Sequence, residues 1–350
     1  MKKILFLQSE ADWERYGFDD EIYQIDFLNG RYKIGKNKLV DYELVITTVY
    51  HDLLANHILA KCHLYGIKTA YFMDGIFDLS NSLNNGITKR LSLYPLFPVH
   101  TDIVCVCSEM GVELVESSGA TPIRYLPSFA NEKVTSVMNK EYMLITTANN
   151  PCFSNIEYRV LSKLIRETLE LAIESQRKVK IRLYDKKILE EISDLIDKHC
   201  IKNDISSSLT KCLEDTSIVF TTHSTVAITC CKMLIPTCCF IYKREPQEPL
   251  YGWVHYQGLN LEETVSQMES DCSKQLDYQR KLVSKFDTIK LSEIVEQSYS
   301  NRINEFYSYN AKLLLDSSFN YNFIYFLQRL YKKVKSKKIV RYLRTKLMMR

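Results

Sequence analysis

Glycine is scarce in this chain, which has only ten among its 350 residues. No glycine-rich phosphate loop of the dinucleotide-binding or P-loop kind occurs, and this argues against an NAD or ATP enzyme built on those motifs. The sequence has no Asp-x-Asp pair to hold a metal-bound diphosphate and no Cys-x-x-Cys pair to hold zinc. His51, His57 and His63 are six residues apart and so lie on different faces of a helix. We therefore expect neither a metal ion nor another cofactor.

Long apolar runs are absent as well. No stretch approaches the roughly 18 residues that a membrane-spanning helix needs. The apolar run that opens the chain ends at Gln8, too soon for a secretory signal. The eleven cysteines are odd in number, and the adjacent pairs at 230–231 and 238–239 lie in apolar runs typical of a core. We expect free thiols in a reducing cytoplasm.

Charge is unevenly distributed along the chain. The net charge is +4, but residues 329–350 hold ten Lys and Arg and no acidic residue. The other 328 residues carry 36 basic and 42 acidic groups, a net charge of −6. Because a nucleic-acid-binding body presents a basic face, we expect no nucleic-acid partner.

Strand and helix patterns alternate along the chain, which indicates parallel sheets with helices on both faces. Short apolar runs typical of strands start at residues 3, 42, 69, 102 and 122, and again at residues 142, 179, 218 and 236. The polar, aperiodic segment 127–140 separates the two series. We predict an α/β fold with two Rossmann-like domains in tandem, residues 1–130 and 141–260. A helical C-terminal region, residues 261–350, follows them.

The most informative segment is residues 218–227, where an apolar run stops at five small or hydrogen-bonding side chains before a helical pattern begins. This order predicts a strand, a tight turn and a helix start. Ser224 and Thr225 would place hydroxyls beside free N–H groups at the positive end of the helix dipole, which is a site for an anion. The alternative is an ordinary N-cap. His223 would add a proton donor or stack on a ribose, or else it is a satisfied cap or core histidine.

A second polar strand end lies far away in the chain. Asp74 follows an apolar run and would lie at the carboxyl end of a parallel sheet, where α/β sites form. It is positioned to act as a base toward an acceptor hydroxyl, and Gly75 would let that acceptor approach closely. A simple Asp-Gly turn, or an N-cap of the next segment, is the alternative.

Two charged residues of the second half are further candidates for donor binding. Arg182 alternates with apolar residues in its strand and would hold a phosphate bidentately if it pointed into a cleft. An outward, solvated arginine is the alternative. Glu245 follows the last strand of the second half and would reach ribose hydroxyls, unless it belongs to a surface charge cluster.

The two halves together resemble the GT-B glycosyltransferase architecture. The resemblance rests on three segments at strand ends: Asp74-Gly75, residues 146–150, and His223-Ser224-Thr225. It implies two Rossmann-like domains that face each other across a cleft, with the donor nucleotide mainly on the second domain and the acceptor and base mainly on the first. Thr147 and Asn149 then belong to the donor side.

More narrowly, the chain is similar to bacterial surface-polysaccharide transferases that use CMP-activated acids (sialic acid, Kdo) or CDP-glycerol. In the CMP-acid families an acidic-acidic-Gly motif supplies the base, a His-Pro motif holds the cytidine, and a Ser/Thr pair holds the phosphate. Here residues 73–75 match only the second acidic position, no His-Pro occurs, and Ser224-Thr225 fits the hydroxyl pair. The resemblance implies an inverting, metal-independent transfer of a sugar from a nucleotide-activated donor to a surface-glycan or lipid-linked acceptor.

Other functions stay open on the same sequence. The scaffold would also suit a polyol-phosphate transferase or a non-hydrolysing nucleotide-sugar epimerase. A non-catalytic subunit of a glycan-assembly complex is a further alternative, and such a subunit would be indifferent to the loss of Asp74.

The basic tail suggests a membrane partner. Residues 325–350 combine aromatic and aliphatic side chains at roughly helical spacing with ten basic residues. A basic amphipathic helix of this kind fits the surface of an anionic membrane. We predict a cytoplasmic protein that is peripheral on the inner face of the membrane. Alternatively, the apolar face packs on the first domain and the charges are solvated.

Overall fold

The protein is built on two separate parallel β-sheets. The computed structural model describes residues 2–18, 22–28, 34–49, 53–86, 99, 101–130, 140–247, 252–270 and 272–298. Residues up to 124 form a six-stranded first sheet, and residues 142–255 form a five-stranded second sheet. The fold class expected from the sequence, two Rossmann-like domains in tandem, is thereby confirmed.

The first sheet has the strand order β2-β1-β3-β4-β5-β6, and all its neighbouring strands are parallel. The strands are β1 Lys2–Phe6, β2 Tyr23–Phe27, β3 Leu44–Thr47, β4 Lys68–Phe72, β5 Ile103–Val106 and β6 Thr121–Arg124. The helices are α1 Glu10–Tyr16, α2 Lys36–Leu39, α3 Leu53–Leu64, α4 Leu79–Asn84 and α5 Glu109–Ser117. Strands β3 and β5 are buried along their whole length, as expected when helices cover both faces of a parallel sheet.

The second sheet has the order β11-β10-β9-β7-β8 and is also parallel throughout. Its strands are β7 Tyr142–Thr146, β8 Lys178–Arg182, β9 Thr216–Thr221, β10 Thr237–Phe240 and β11 Trp253–His255. The helices are α6 Asn155–Glu174, α7 Lys186–Glu191, α8 Ser193–His199, α9 Leu209–Leu213 and α10 Thr225–Lys232. The long helix α6 buries Leu161, Leu164, Ile165 and Leu169 in the core of this sheet, which is the spacing of one helix face.

Both sheets have the same internal strand order. In each, the chain makes one strand, moves to the edge beside it, returns to the other side of the first strand and continues outward. The direction therefore reverses between β1 and β3 in the first sheet and between β7 and β9 in the second. Parallel sheets bind ligands at such a switch point, outside the carboxyl ends of the strands. The fold thus indicates one candidate ligand position on each domain.

After the second sheet, the chain returns to the first domain. The last described helices are α11 Leu261–Glu269, α12 Ser273–Val283 and α13 Leu291–Glu296. Phe286, Leu291 and Ile294 belong to the apolar core of the first sheet. Lys68, the first residue of β4, donates from Nζ to the carbonyl of Gln297 at 2.9 Å. No helix among the described residues is long and apolar enough to cross a membrane.

Most elements agree with the sequence, and the differences have local causes. Of the eleven strands in the described part of the chain, nine are expected from apolar runs, whereas the edge strands β2 and β11 are not. Residues 187–199 have the sequence pattern of one helix, but the helix divides at Ile192, whose backbone leaves the helical region at φ −117° and ψ 9°. The helical C-terminal region is present as far as Glu296. Residues 299–350, including the basic tail, lie outside the described residues.

Two buried histidines should make the folded protein sensitive to acid. Burial lowers the pKa of both His57 and His255 to about 4, against an ordinary value of 6.5. As the pH falls below 6.5, the unfolded chain takes up protons first, so stability is lost between pH 6.5 and about 4. Since one pKa unit corresponds to about 1.4 kcal/mol, each histidine lowers the free energy of unfolding by up to about 3 kcal/mol across this window.

Urea unfolding at a series of pH values measures this loss. His255 lies beside the rings of Phe220 and Phe240. His255 Nε2 also lies 3.5 Å from a carboxylate oxygen of Glu167. His255→Phe removes the titrating group and should make the pH dependence shallower, whatever it does to the stability at neutral pH. The same change at His199, which is exposed, is the matched control and should leave the slope as it is. A wild-type free energy of unfolding that stayed constant across the window would contradict the prediction.

Candidate functional site

The turn that follows β9 lies at the switch point of the second sheet. Thr222 accepts a hydrogen bond through its hydroxyl from the N–H of Ala148, which follows β7, at 2.8 Å. This bond ties the two strand ends together. Thr147, next to Ala148, is only 3% exposed, and its hydroxyl is buried without a hydrogen-bond partner. A residue expected on the donor side therefore lies at the switch point with an unsatisfied polar group.

Ser224 is the N-cap residue of helix α10, but its side chain does not cap the helix. The other described N-caps of type Ser, Asp or Asn all accept a bond from their helix: Ser9, Asp78, Ser108, Ser154, Asp185, Ser208 and Asn260. The Ser224 hydroxyl is instead buried without a hydrogen-bond partner. This turn therefore offers a hydroxyl and the N–H groups of a helix terminus to an external acceptor, which is the arrangement of an anion site.

His223, which precedes Ser224, is held by the loop that follows β10. The side-chain nitrogen Nε2 of Gln247 lies 2.7 Å from His223 Nδ1. The oxygen Oε1 of the same amide accepts bonds from the N–H groups of Tyr242 and Lys243, each at 3.3 Å. The imidazole is therefore fixed at one end by an amide that is itself fixed by the backbone.

The end of β4 approaches this turn from the first domain. A methyl group added to Gly75 would lie 3.7 Å from Thr225 Cγ2, so the space between this backbone and the turn is about that of one methyl group. Asp74, the preceding residue, is exposed. Two segments that are 150 positions apart, on different sheets, thus meet across the boundary between the domains. The structure brings together Gly75 and Thr225, which the sequence assigns to opposite sides of a cleft.

The surroundings of Asp74 belong to the switch point of the first sheet. Burial, and secondly the charge of Asp74, raise the pKa of the Tyr16 phenol, which is hydrogen-bonded to Thr48. Burial and the same carboxylate raise the pKa of the Cys107 thiol. Gln8 accepts a bond from the N–H of Thr48 at 2.8 Å and so joins the ends of β1 and β3. Tyr16 and Cys107 therefore lie close enough to Asp74 to be affected by its charge, and hydrogen bonds connect Tyr16 to Thr48 and Thr48 to Gln8.

Helix α10 is a wall shared by both domains. Ala227 and Cys231 belong to the apolar core of the first sheet, whereas Cys230 packs in a cluster with the second sheet. Thr229 donates from its hydroxyl to the carbonyl of Ala130 at 2.9 Å, which is a direct bond between the domains. The N-terminal turn of α10 is consequently held in place relative to the end of β4.

Helix α4, which follows the Asp74 segment, bonds to the second domain at three points. These α4 contacts are Asp78 Oδ2 with Lys243 Nζ at 2.5 Å, Ser80 Oγ with Glu157 Oε1 at 2.6 Å, and Asn84 Nδ2 with Glu245 Oε1 at 2.5 Å. Glu245, a predicted donor-binding residue, is therefore engaged with the first domain. The α4 contacts fix the segment 74–78 against the loop that also holds His223.

Two predicted donor-binding residues lie in other surroundings. Arg182 ends the edge strand β8, and its Nη1 donates to the carbonyls of Asp204 at 2.5 Å and Ser207 at 2.9 Å. Its guanidinium also lies 5.4 Å from the ring centre of Tyr184. Arg182 thus stabilises the segment before α9. Asn149 is exposed in the loop after β7. Donor binding by either residue stays a prediction.

Four residues of the site are not identified from the sequence: Gln8, Tyr16, Thr48 and Gln247. A signal existed for Gln8 and Thr48, because they follow β1 and β3 at the carboxyl ends, the rule that selects Asp74. Tyr16 and Gln247 reach the site from a helix and a loop. No pattern of neighbouring residues marks such positions.

The chain is similar to solved structures in the arrangement of its elements. No protein-family model matches it, and no curated protein matches it. The complex of S. aureus MnaA with UDP has a TM-score of 0.49 at 11% identity, over 81% of this chain and 91% of that chain. The UDP-GlcNAc 2-epimerase from Neisseria meningitidis bound to UDP-GlcNAc has a TM-score of 0.48 at 10% identity, over 91% of this chain and 100% of that chain. The wall teichoic acid polymerase TagF has a TM-score of 0.43 at 12% identity, over 90% of this chain and 89% of that chain.

Proposed function

We propose that the protein is a glycosyltransferase that moves a sugar from a nucleotide-activated donor to a surface-glycan or lipid-linked acceptor. The proposal rests on one observation: Gly75 and Thr225, at strand ends of two different sheets, are so close that a methyl group added to Gly75 would contact Thr225. One side offers hydrogen-bond donors to an anion, and the other offers a carboxylate. Sugar transfer by inversion needs this combination, because the leaving phosphate must be stabilised while a base takes the acceptor proton.

The donor phosphate is proposed to bind at the N-terminal turn of α10. Ser224 and Thr147 both have buried hydroxyls without a hydrogen-bond partner. An unsatisfied buried hydroxyl costs about 1–3 kcal/mol, and a phosphate oxygen that accepts from it removes this cost. We propose a cytidine nucleotide, because Ser224-Thr225 resembles the hydroxyl pair of the transferases that use CMP-activated acids.

The acceptor hydroxyl is proposed to lose its proton to Asp74. This carboxylate is exposed, and Gly75 leaves no side chain between it and the donor turn. Tyr16, which hydrogen bonds connect to Thr48 and through it to Gln8, suits an acceptor that is rich in hydroxyls, since each of these neutral groups can accept or donate a hydrogen bond. The proton then passes from the acceptor oxygen to the Asp74 carboxylate as that oxygen attacks the sugar.

A polyol-phosphate transferase or an epimerase would use the same donor turn. Each would differ from a glycosyltransferase in the group that lies beside Asp74 during the reaction. An epimerase needs no acceptor. Conversion of the nucleotide sugar without any added acceptor would therefore favour the epimerase over the glycosyltransferase. A scaffolding subunit would convert no nucleotide sugar under either condition.

Nucleotide binding tests the donor half of the proposal. Calorimetry with CMP, CDP, UDP and GDP should show binding of the cytidine nucleotides. At about 100 times its Kd, a nucleotide that binds only the folded state should raise the free energy of unfolding by about 2.7 kcal/mol. Binding of UDP without binding of CMP or CDP would show that the proposed donor class is wrong.

Two serine variants separate binding from capping within the same experiment. Ser224→Ala should weaken nucleotide binding at least about tenfold. It should leave the free energy of unfolding unchanged or higher, because the side chain makes no cap bond. Ser108→Ala is the matched control: the Ser108 hydroxyl accepts from the N–H of Gly111 at 3.1 Å. That change should cost about 1 kcal/mol of stability and leave nucleotide affinity intact. An equal loss of stability in both variants would identify Ser224 as an ordinary cap.

Asp74→Asn should slow sugar transfer by about 10²- to 10⁴-fold, because the amide cannot accept the acceptor proton. Nucleotide affinity should stay nearly the same, since the donor turn lies on the other domain. Release of the free nucleotide in the presence of acceptor measures the rate. Asp277→Asn, at an exposed position on α12, is the charge-matched control. Full activity in Asp74→Asn would remove this residue from the mechanism and favour the Asp-Gly turn.

We further propose that residues 325–350, outside the described part of the chain, attach the protein to the inner face of an anionic membrane. Each basic residue near such a surface contributes about 1 kcal/mol, so a fraction of the ten suffices for reversible attachment. The full-length protein should therefore co-sediment with anionic vesicles at low salt, and removal of residues 329–350 should abolish this. Equal binding by the truncated protein would contradict a role of the tail.

A further inference from the structure

The amide of Gln247 has only one possible orientation. Its Oε1 lies 3.3 Å from both the Tyr242 nitrogen and the Lys243 nitrogen of the backbone. A backbone N–H donates and cannot accept, so the amide atom that faces these two groups must be the oxygen. The other end of the amide, which lies 2.7 Å from His223 Nδ1, is therefore the NH2 group.

This orientation determines which nitrogen of His223 bears the proton. An amide NH2 group only donates, so His223 Nδ1 must accept and must itself be unprotonated. The proton of the neutral imidazole then lies on Nε2. We infer that Gln247 is a positioning residue that holds His223 as the neutral Nε2–H tautomer, so that the turn before α10 presents a third hydrogen-bond donor beside the hydroxyls of Ser224 and Thr225.

The chemical consequence rests on the proposed function. A leaving phosphate is acceptor-only, and a turn whose polar groups all donate matches it without rearrangement. In the opposite tautomer, Nε2 would have a lone pair in place of the proton and would repel an anion beside it. Gln247 would thus favour nucleotide binding without touching the nucleotide.

Two charged residues share the loop of Gln247, and a third lies on the segment that faces the turn. Lys243, on the same loop as Gln247, is paired with Asp78 of the first domain. Glu245 accepts a bond from Asn84. Asp74 precedes Gly75, which lies against the turn across the domain boundary. None of these contacts involves Nδ1 of His223. The hydrogen bond of that atom to the Gln247 amide joins two uncharged groups.

Nuclear magnetic resonance on protein labelled with ¹⁵N-histidine tests the tautomer without any nucleotide. Long-range ¹H–¹⁵N correlation distinguishes a protonated from an unprotonated ring nitrogen, and a His223→Gln spectrum assigns the signal. At neutral pH, we expect an unprotonated Nδ1 and a protonated Nε2 in the wild type. A protonated Nδ1 in the wild type would overturn the inference.

Three variants extend the test to the cause. In Gln247→Glu, the new carboxylate can only accept, so Nδ1 should become protonated. In Gln247→Met, which has a side chain of similar length but no donor, both neutral tautomers should appear. Gln275→Glu makes the same charge change at an exposed position of α12 and should leave the His223 signals unchanged. Signals in Gln247→Glu identical to those of the wild type would show that the amide does not set the tautomer.

Nucleotide affinity then separates this inference from the proposed function. If the tautomer is as inferred, Gln247→Glu should bind the preferred nucleotide at least about tenfold more weakly than Gln275→Glu does. An Nε2–H tautomer in a protein that binds none of CMP, CDP, UDP and GDP would support the positioning role and defeat the proposed function. Normal nucleotide binding with a protonated Nδ1 would do the reverse.

Discussion

The burial of helix α10 between two apolar cores is the constraint on which the site depends. Ala227, Ile228 and Cys231 face the core of the first sheet, and Cys230 faces a cluster of the second. Protein interiors are close-packed, so a shift of this helix would open a cavity in one core or crowd the other. The first turn of α10 is therefore held at one place relative to both sheets, opposite the end of β4.

The α4 contacts add orientation to this placement. The Lys243 side chain is only 5% exposed in its pair with Asp78. Such a pair contributes little net stability, because desolvation offsets the attraction, but leaving one partner unpaired is costly. Its effect is to favour a single arrangement of the two domains. Because the loop with Lys243 also contains Gln247, the same loop sets the approach of the first domain and the orientation of His223.

Sequence patterns predict the sheets well because short, continuous apolar runs mark strands that are buried on both faces. The edge strands β2 and β11 include exposed positions and lack that signal. Asp74 and Ser224 are predictable since each follows such a run. Their proximity is not, because it depends on how α10 packs between cores formed by distant segments. An alternating pattern likewise cannot show that Arg182 turns toward the carbonyls of residues 204 and 207, where the backbone happens to pass.

The sequence cannot separate the two interpretations of Ser224, because a serine before a helix suits a cap and an anion site alike. A cap hydrogen bond contributes about 1 kcal/mol. Among the described Ser, Asp and Asn N-cap residues, Ser224 is the one whose side chain makes no such bond. A buried polar group without a partner needs an explanation, and such local costs are tolerated mainly at functional sites. Thr147 shows the same deficit on the neighbouring strand, beside the bond that joins Ala148 to Thr222. Unpartnered hydroxyls also occur elsewhere, at Tyr125 and Ser162 for example, but Thr147 and Ser224 lie at one switch point, where a single ligand would satisfy both.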